Sequence, residues 1–449
     1  MRAAAPSSEV GWKRAEGHPV EEAVPTLDGR KLVNRLVSAA VAAAVTVLPA
    51  ALPAVASPTA PVSAAARGEQ PGYQTRHLRW RAAESGFDSW ALTGANRSGS
   101  GALRLDRATA ESGTDPYAPG GYLGGNYYNG GSFIVGEALS PVQAAPIAFS
   151  EAIVSWNATT PPGTWIEVEM RALAGGRFTK FYNLGIWASD SSTVPRHSVR
   201  AQGDADGFVA VDTLVLDKKV RPDAFQIRLR LFTAITGHGA VPTVENAFLA
   251  LSTPLAHVGT MPPGDPARWN RLLAVPECSQ MVYPDGGTVW CSPTSTSMVM
   301  AYWSGDTGPC EPRVRAAVAG VFDRVYDGHG NWPFNTAYAS TAGLEAHVAR
   351  FTNMADAERW IEAGVPVVIS YYWKRNSLAG APIPTSDGHL AVLVGFDAAG
   401  NPIVNDPAAA LDGDVQRTYD RAELEDLWVA KSGGTAYLVY PPGHPVPAL

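Results

Sequence analysis

Three residue types at particular places in this chain are equipped for nucleophilic chemistry. Cys291 is followed by Ser292-Pro293 and then by a run from Thr294 to Trp303 rich in apolar side chains. Serine followed by proline marks a helix start, because proline's missing N–H costs nothing in the first turn. Cys291 therefore sits at a helix N-terminus, where unpaired N–H groups and the positive dipole end favour a thiolate. A thiolate nucleophile needs an imidazole to take and return a proton. Of nine histidines, His389 is the best placed: it follows Ser386-Asp387-Gly388 and opens the apolar run Leu390 to Phe396, at the mouth of a central strand with its side chain exposed at the strand end. That strand reverses at Asp397-Ala-Ala-Gly-Asn401 and returns through Pro402-Ile-Val, which brings Asn405 or Asp406 back beside His389. An aspartate there would fix the imidazole tautomer.

These residues need elements to hold them. Helical stretches are expected at 293–303, 313–326, 337–350, 355–363 and 420–429, and strands at 366–373, 389–396, 402–405 and 435–440. Helices first and strands later predicts an α+β domain over 268–443. Upstream the period changes to two. Ile166, Val168 and Met170 alternate with Glu167, Glu169 and Arg171, and Phe225, Ile227, Leu229 and Leu231 with Gln226, Arg228 and Arg230. Such alternation puts one strand face in the core and the other in water. With further strands at 153–157, 178–187, 209–216 and 247–252, the region 75–255 reads as an antiparallel β-sandwich, jelly-roll-like, and few helical periods interrupt it. The proline-bearing segment 253–268 reads as a linker, so the C-terminal half is expected to fold alone.

Taken together, Gln280, Trp290-Cys291-Ser292-Pro293-Thr294-Ser295, Asp387-Gly388-His389 and Val404-Asn405-Asp406-Pro407 resemble the papain-like cysteine peptidases, in the branch that holds the leader peptidases of bacteriocin exporters. The resemblance spans about 270–440. It implies Cys291 as nucleophile, His389 as general base and acid, and Asp406 as orienting group. It also implies that Gln280 donates its side-chain amide to the oxyanion beside the Cys291 backbone N–H. Ser292 stands where the family commonly has glycine, and no exporter membrane domain follows, so leader processing is not implied. The sandwich looks like the companion domain of exported actinobacterial relatives. For Cys278 and Cys310 two readings stay open: a disulfide that leaves Cys291 free, or two separate small apolar residues.

The rest of the composition narrows the class. A net charge of −7 gives no reason to expect nucleic acid or an anionic membrane as partner. No cofactor is implied, and three cysteines at 278, 291 and 310 contain no C-x-x-C pair suited to zinc. Residues 1–56 read as an extended polar start and a signal peptide: Arg30, Lys31 and Arg35 precede an apolar run ending in Ala54-Val55-Ala56, and 57–74 is a flexible spacer. The expectation is a secreted cysteine peptidase acting on a peptide or protein, with no stable membrane insertion after cleavage. The rival expectation is an extracellular protein that binds a cell-wall polymer or glycan through the sandwich, its peptidase-like half inactive. Its main support is the tyrosine-bearing loop Gly120 to Gly131, whose rings could stack on sugars.

Overall fold

A computed structural model describes residues 72–236, 239–255 and 261–448. The signal-peptide reading, residues 57–71 of the spacer reading and residues 256–260 of the linker reading lie outside the described residues. Among the described residues no helix is long and apolar enough to cross a membrane.

The N-terminal part consists of two antiparallel sheets. In one, Glu151–Thr159 and Thr75–Arg81 both pair with Thr243–Ser252, and the hairpin Gly207–Ala210/Thr213–Leu216 extends the edge. In the other, Thr164–Ala174 and Ser132–Leu139 flank Ala224–Ala234, with Tyr182–Trp187 added outside. Trp156 and Leu249 of the first sheet meet Ile166, Val168, Met170, Ile227, Leu229 and Leu231 of the second in one fully buried core. The inward half of the period-two pattern is thus as expected.

The outward half is not. Glu167 and Glu169 are buried rather than in water, because Arg230 and Arg228 on the neighbouring strand pair with them at 2.6 Å each and Tyr128 folds over Glu167, its hydroxyl 2.9 Å away. A buried carboxylate is tolerated only when so partnered. The glycine-rich loop that carries Tyr128 also packs its other rings inward: Tyr122 lies against Tyr127 and His197, and Tyr122 and Tyr128 are buried. The loop read as a sugar platform is largely consumed by its own aromatic cluster.

The C-terminal part is an α+β arrangement. A six-strand antiparallel path runs Glu345–Arg350, Thr435–Tyr440, Val367–Trp373, Ser386–Phe396, Pro402–Asn405, Gln416–Thr418. Helices α1 (Cys291–Ser304), α2 (Cys310–Val321) and α3 (Trp332–Ser340) precede the sheet in sequence, α4 (Met354–Glu362) lies between its strands, and α5 (Arg421–Glu425) follows Gln416–Thr418. Asn331, Asn353 and Asp420 cap α3, α4 and α5 through their side chains.

One helix expectation fails. The stretch 337–350 is helical only to Ser340; Glu345–Arg350 is a strand, with His347 on it. All six of its residues are buried, the polar Glu345, His347 and Arg350 included, so neither face of the strand meets water. The sandwich is what buries it. The strand is an edge of its sheet, yet its outward N–H groups are met in turn: Ala346 by Asn157 Oδ1, Val348 by Ser155 Oγ and Arg350 by His77 Nε2, at 3.0–3.3 Å. Asn157 also donates to the Ala346 carbonyl at 2.7 Å. Side chains thus do what a further strand would do for an unpaired edge. Arg350 reaches Glu151, Arg81 pairs with Glu345, and His347 stacks on Phe248 at 4.5 Å.

Helix α3 goes further and enters the sandwich core. Phe334 lies against Trp156 and Trp187, and with Ala337 belongs to the same buried cluster as the two sheets. Gly185 permits this, since a Cβ there would come 3.0 Å from the Phe334 ring and its φ of +151° disfavours any side chain. The expectation of an independent C-terminal half therefore meets a continuous core.

Candidate active site

Helix α1 begins at Cys291 itself, with Trp290 as its N-cap residue. The helix is buried along 292–299, and its small polar side chains bind neighbours rather than water. Ser292 Oγ and the Tyr437 hydroxyl lie 2.8 Å apart, Ser295 Oγ donates to the Leu390 carbonyl at 3.0 Å, and Thr296 Oγ1 to Asn335 Oδ1 at 3.2 Å. The Ser295 bond ties α1 to the residue after His389. Cys291 is half-buried and is the free cysteine among the described residues. Cys278 and Cys310 form a disulfide, so the first of the two open readings holds.

His389 lies within Ser386–Phe396, which begins three residues earlier than expected, and its side chain is buried rather than exposed at a strand mouth. It stands opposite Tyr371, and the rings of Tyr371 and Trp373 meet its imidazole edge-on at 5.5 and 5.2 Å. Across the hairpin Val392 pairs with Asn405, so Asp406 leaves the strand end toward His389. Of the two open candidates it is Asp406 that reaches the imidazole, Oδ1 to Nε2 at 2.7 Å; Asn405 turns away to donate to the Val275 carbonyl at 3.1 Å.

The Asp406 carboxylate is fully buried and fully partnered. Oδ1 also accepts the Ala408 N–H at 3.0 Å, while Oδ2 accepts the hydroxyls of Tyr419 at 2.7 Å and Tyr371 at 3.2 Å. Burial alone would raise its pKa, but His389 and these donors outweigh burial and hold it below the usual carboxylate range. For His389, burial opposes the charge, yet Asp406 prevails, helped by hydrogen bonding and charge interaction with Cys291, and the imidazole is raised to about 10. The nitrogen facing away from Asp406 is Nδ1, so a tautomer locked by the carboxylate leaves that atom for a second partner.

Gln280 is buried, and its backbone N–H donates to the Pro407 carbonyl at 2.8 Å, which docks it on the turn after Asp406. Its side-chain Oε1 is buried without a hydrogen-bond partner. The flanking residues hold the segment: Cys278 through its disulfide, and Ser279 through its N–H to Asp412 Oδ1 at 2.7 Å.

Tyr371, Trp373 and Tyr419 were not singled out in the sequence. The signal for the first two was present, since residues two apart on one strand share a face and His389 stands opposite Tyr371. Nothing in the sequence distinguished Tyr419.

The fold and this site define a peptidase-like protein. Residues 272–436 match the Peptidase_C39 like family and residues 76–252 match the Peptidase C39 N-terminal domain, and these two matches support a relationship to the papain-like cysteine peptidases of the C39 superfamily. No curated protein matches it. Three solved structures show a faint likeness: a κ-carrageenase from Pseudoalteromonas carrageenovora with an oligotetrasaccharide of κ-carrageenan (12% identity, TM-score 0.19, 41% of this chain and 98% of that one); carbohydrate-binding modules of the β-sandwich superfamily (11%, 0.14, 40% and 54%); and the catalytic domain of a GH87 α-1,3-glucanase with tetrasaccharides (14%, 0.15, 46% and 33%). The chain thus spans about half and a third of the last two, and at these TM-scores none carries an argument.

Proposed function

We propose that the protein is an exported cysteine peptidase that hydrolyses peptide amide bonds. The observation that carries this reading is the buried His389–Asp406 pair, 2.7 Å between Nε2 and Oδ1, whose imidazole is, against burial, held charged chiefly by Asp406 and further by Cys291. Cys291 Sγ attacks the scissile carbonyl carbon, and His389 holds the thiol proton. The C–N bond then breaks as His389 gives that proton to the leaving amine, which leaves a thioester. Water attacks the thioester while His389 takes a water proton; the C–S bond breaks, the acid departs and the thiol recovers its proton. The tetrahedral oxyanion is held by the Cys291 backbone N–H and the Gln280 side-chain amide, with roughly 10²–10³-fold in rate resting on a donor of this kind. Asp406 keeps the imidazole oriented throughout.

Peptide or protein is the substrate class, and the chain works outside the cytoplasm after removal of residues 1–56. The sandwich serves as a companion to the peptidase half; a cell-wall polymer remains a secondary partner reading, and the inward packing of Tyr122 and Tyr128 leaves it less to stand on. Mass spectrometry of Cys291 after a thiol-directed peptidyl inhibitor tests the peptidase reading: a covalent adduct at Cys291 with loss of peptide hydrolysis supports it, and hydrolysis that persists in Cys291→Ala overturns it. N-terminal sequencing of exported protein tests the address, with Ser57 expected near the start; a retained N-terminus overturns it.

A further inference from the structure

The loop 322–331 between α2 and α3 is held by the sandwich, not by the peptidase sheet. Asp323, fully buried, accepts the N–H groups of Val325 and Tyr326 and the Asn331 side-chain amide, each at 3.0 Å, and the Ser198 N–H of the sandwich at 3.0 Å. Arg324 donates to the sandwich carbonyls of Leu123, Asn126 and Tyr122 at 3.1–3.3 Å. The far end of the loop is fixed where Asp212 Oδ2 of the sandwich accepts the Trp332 N–H at 2.6 Å.

This anchored backbone presents apolar side chains beside the nucleophile. His329 meets Phe322 at 5.2 Å and Trp290, the residue before Cys291, at 6.2 Å between ring centroids. Phe322 is 36% exposed and Tyr326 43%, with Val289 64% exposed two residues before Cys291. The Tyr326 phenol is raised chiefly by burial, then by the charges of Asp212, Cys291 and Asp323. His329 Nδ1 is buried without a hydrogen-bond partner. Large side chains left partly uncovered on a backbone this firmly tied suggest a surface kept for a ligand.

We infer that the loop 322–331 is the specificity wall of the site, where Phe322 and Tyr326 receive an aromatic or large apolar side chain of a peptide next to the bond attacked by Cys291, and that the sandwich is the element positioning this wall. The inference rests on the cysteine-peptidase reading for the identity of the bond, but its test does not. Alkylation of Cys291 is followed with three probes: a phenylalanine-bearing peptidyl chloromethyl ketone, its glycine counterpart, and iodoacetamide. In each chloromethyl ketone the Cys291 sulfur forms a bond to the methylene carbon and chloride leaves.

The phenylalanine probe is expected to react about tenfold or more faster than the glycine probe, the scale of discrimination an apolar pocket supplies. With each rate taken relative to the same protein's iodoacetamide rate, Tyr326→Ala is expected to bring that ratio close to one, and Tyr326→Phe to preserve it. Arg324→Ala is expected to lower the ratio too, although Arg324 touches no substrate. A ratio near one in the unaltered protein, or one unchanged by Tyr326→Ala, overturns the inference. Peptide hydrolysis measured in parallel answers the other question: a strong ratio without hydrolysis sinks the peptidase reading and leaves the wall standing.

Discussion

The Tyr419 hydroxyl donates to Asp406 Oδ2 at 2.7 Å, on the oxygen that His389 leaves free. With Tyr371 on the same oxygen, the carboxylate has no freedom to turn away from the imidazole. Asp406→Asn should therefore lower kcat/KM by about 10²–10⁴-fold, the range for a displaced acid–base group. Tyr419→Phe, which leaves the Tyr371 bond, should cost less. Steady-state kinetics on one fluorogenic peptide separates the two; equal losses would contradict the hierarchy.

The pH profile follows from the same pair. His389 is raised to about 10, so its imidazolium, the proton donor to the leaving amine, persists through neutrality and is lost as pH rises through that value. The alkaline limb of kcat/KM should lie near pH 10 and move down toward the ordinary histidine range in Asp406→Asn. A limb that does not move would show that another group sets it. The pair's stabilisation has the matching window. Below the unfolded histidine value of about 6.5 it is fully present from the His389 side, and it is lost as pH rises toward 10.

Acid should act on the junction with the opposite sign. His77 and His347 are held neutral by burial first and by neighbouring positive groups second, His77 down to about 4 and His347 to about 3. Groups with depressed histidine pKa values stabilise the fold above the unfolded value of about 6.5, and that contribution is lost as pH falls from there toward 4. His77 Nε2 must also stay unprotonated to accept the Arg350 N–H. Thermal unfolding at pH 5 and pH 7 should show a drop in Tm that His347→Gln reduces; the same drop in both proteins would assign it elsewhere.

A C-terminal fragment starting at residue 268 should fail to fold stably. It would expose Phe334 and the edge Glu345–Arg350, and leave the N–H groups of Ala346, Val348 and Arg350 without Asn157, Ser155 and His77. In the whole protein, Phe334→Ala should cost about 3–5 kcal/mol, and Asn157→Ala about 1–3 kcal/mol for buried groups left unpaired. Chemical denaturation measures both. A soluble, cooperatively folding fragment would show that the junction is an interface rather than a shared core.

The residues of the candidate site were legible because their signals are local. A serine–proline helix start fixed Cys291, and a strand, turn and strand fixed His389 and limited its partner to two candidates. What stayed hidden depends on distant segments. Glu345–Arg350 is a strand whose polar residues are buried by the distant sandwich, and Glu167 reads as solvent-facing because Arg230 and Tyr128 come from far along the chain. Tyr419 meets Asp406 only through the pairing of Gln416–Thr418 with Pro402–Asn405, which no spacing rule specifies.

The Cys278–Cys310 bond places oxidised sulfur and the free Cys291 thiol in one short region, with Cys278 two residues from Gln280 and Arg313 within 3.5 Å of both bridged sulfurs. A reductant added to protect Cys291 would also be a reagent against this tether, and cutting it frees the segment that bears Gln280, the proposed oxyanion donor. Oxidants threaten the protein from the other side by consuming the thiol. Activity should consequently pass through a maximum as dithiothreitol is increased, which makes the compartment's thiol–disulfide balance, and not the presence of substrate alone, a condition for turnover.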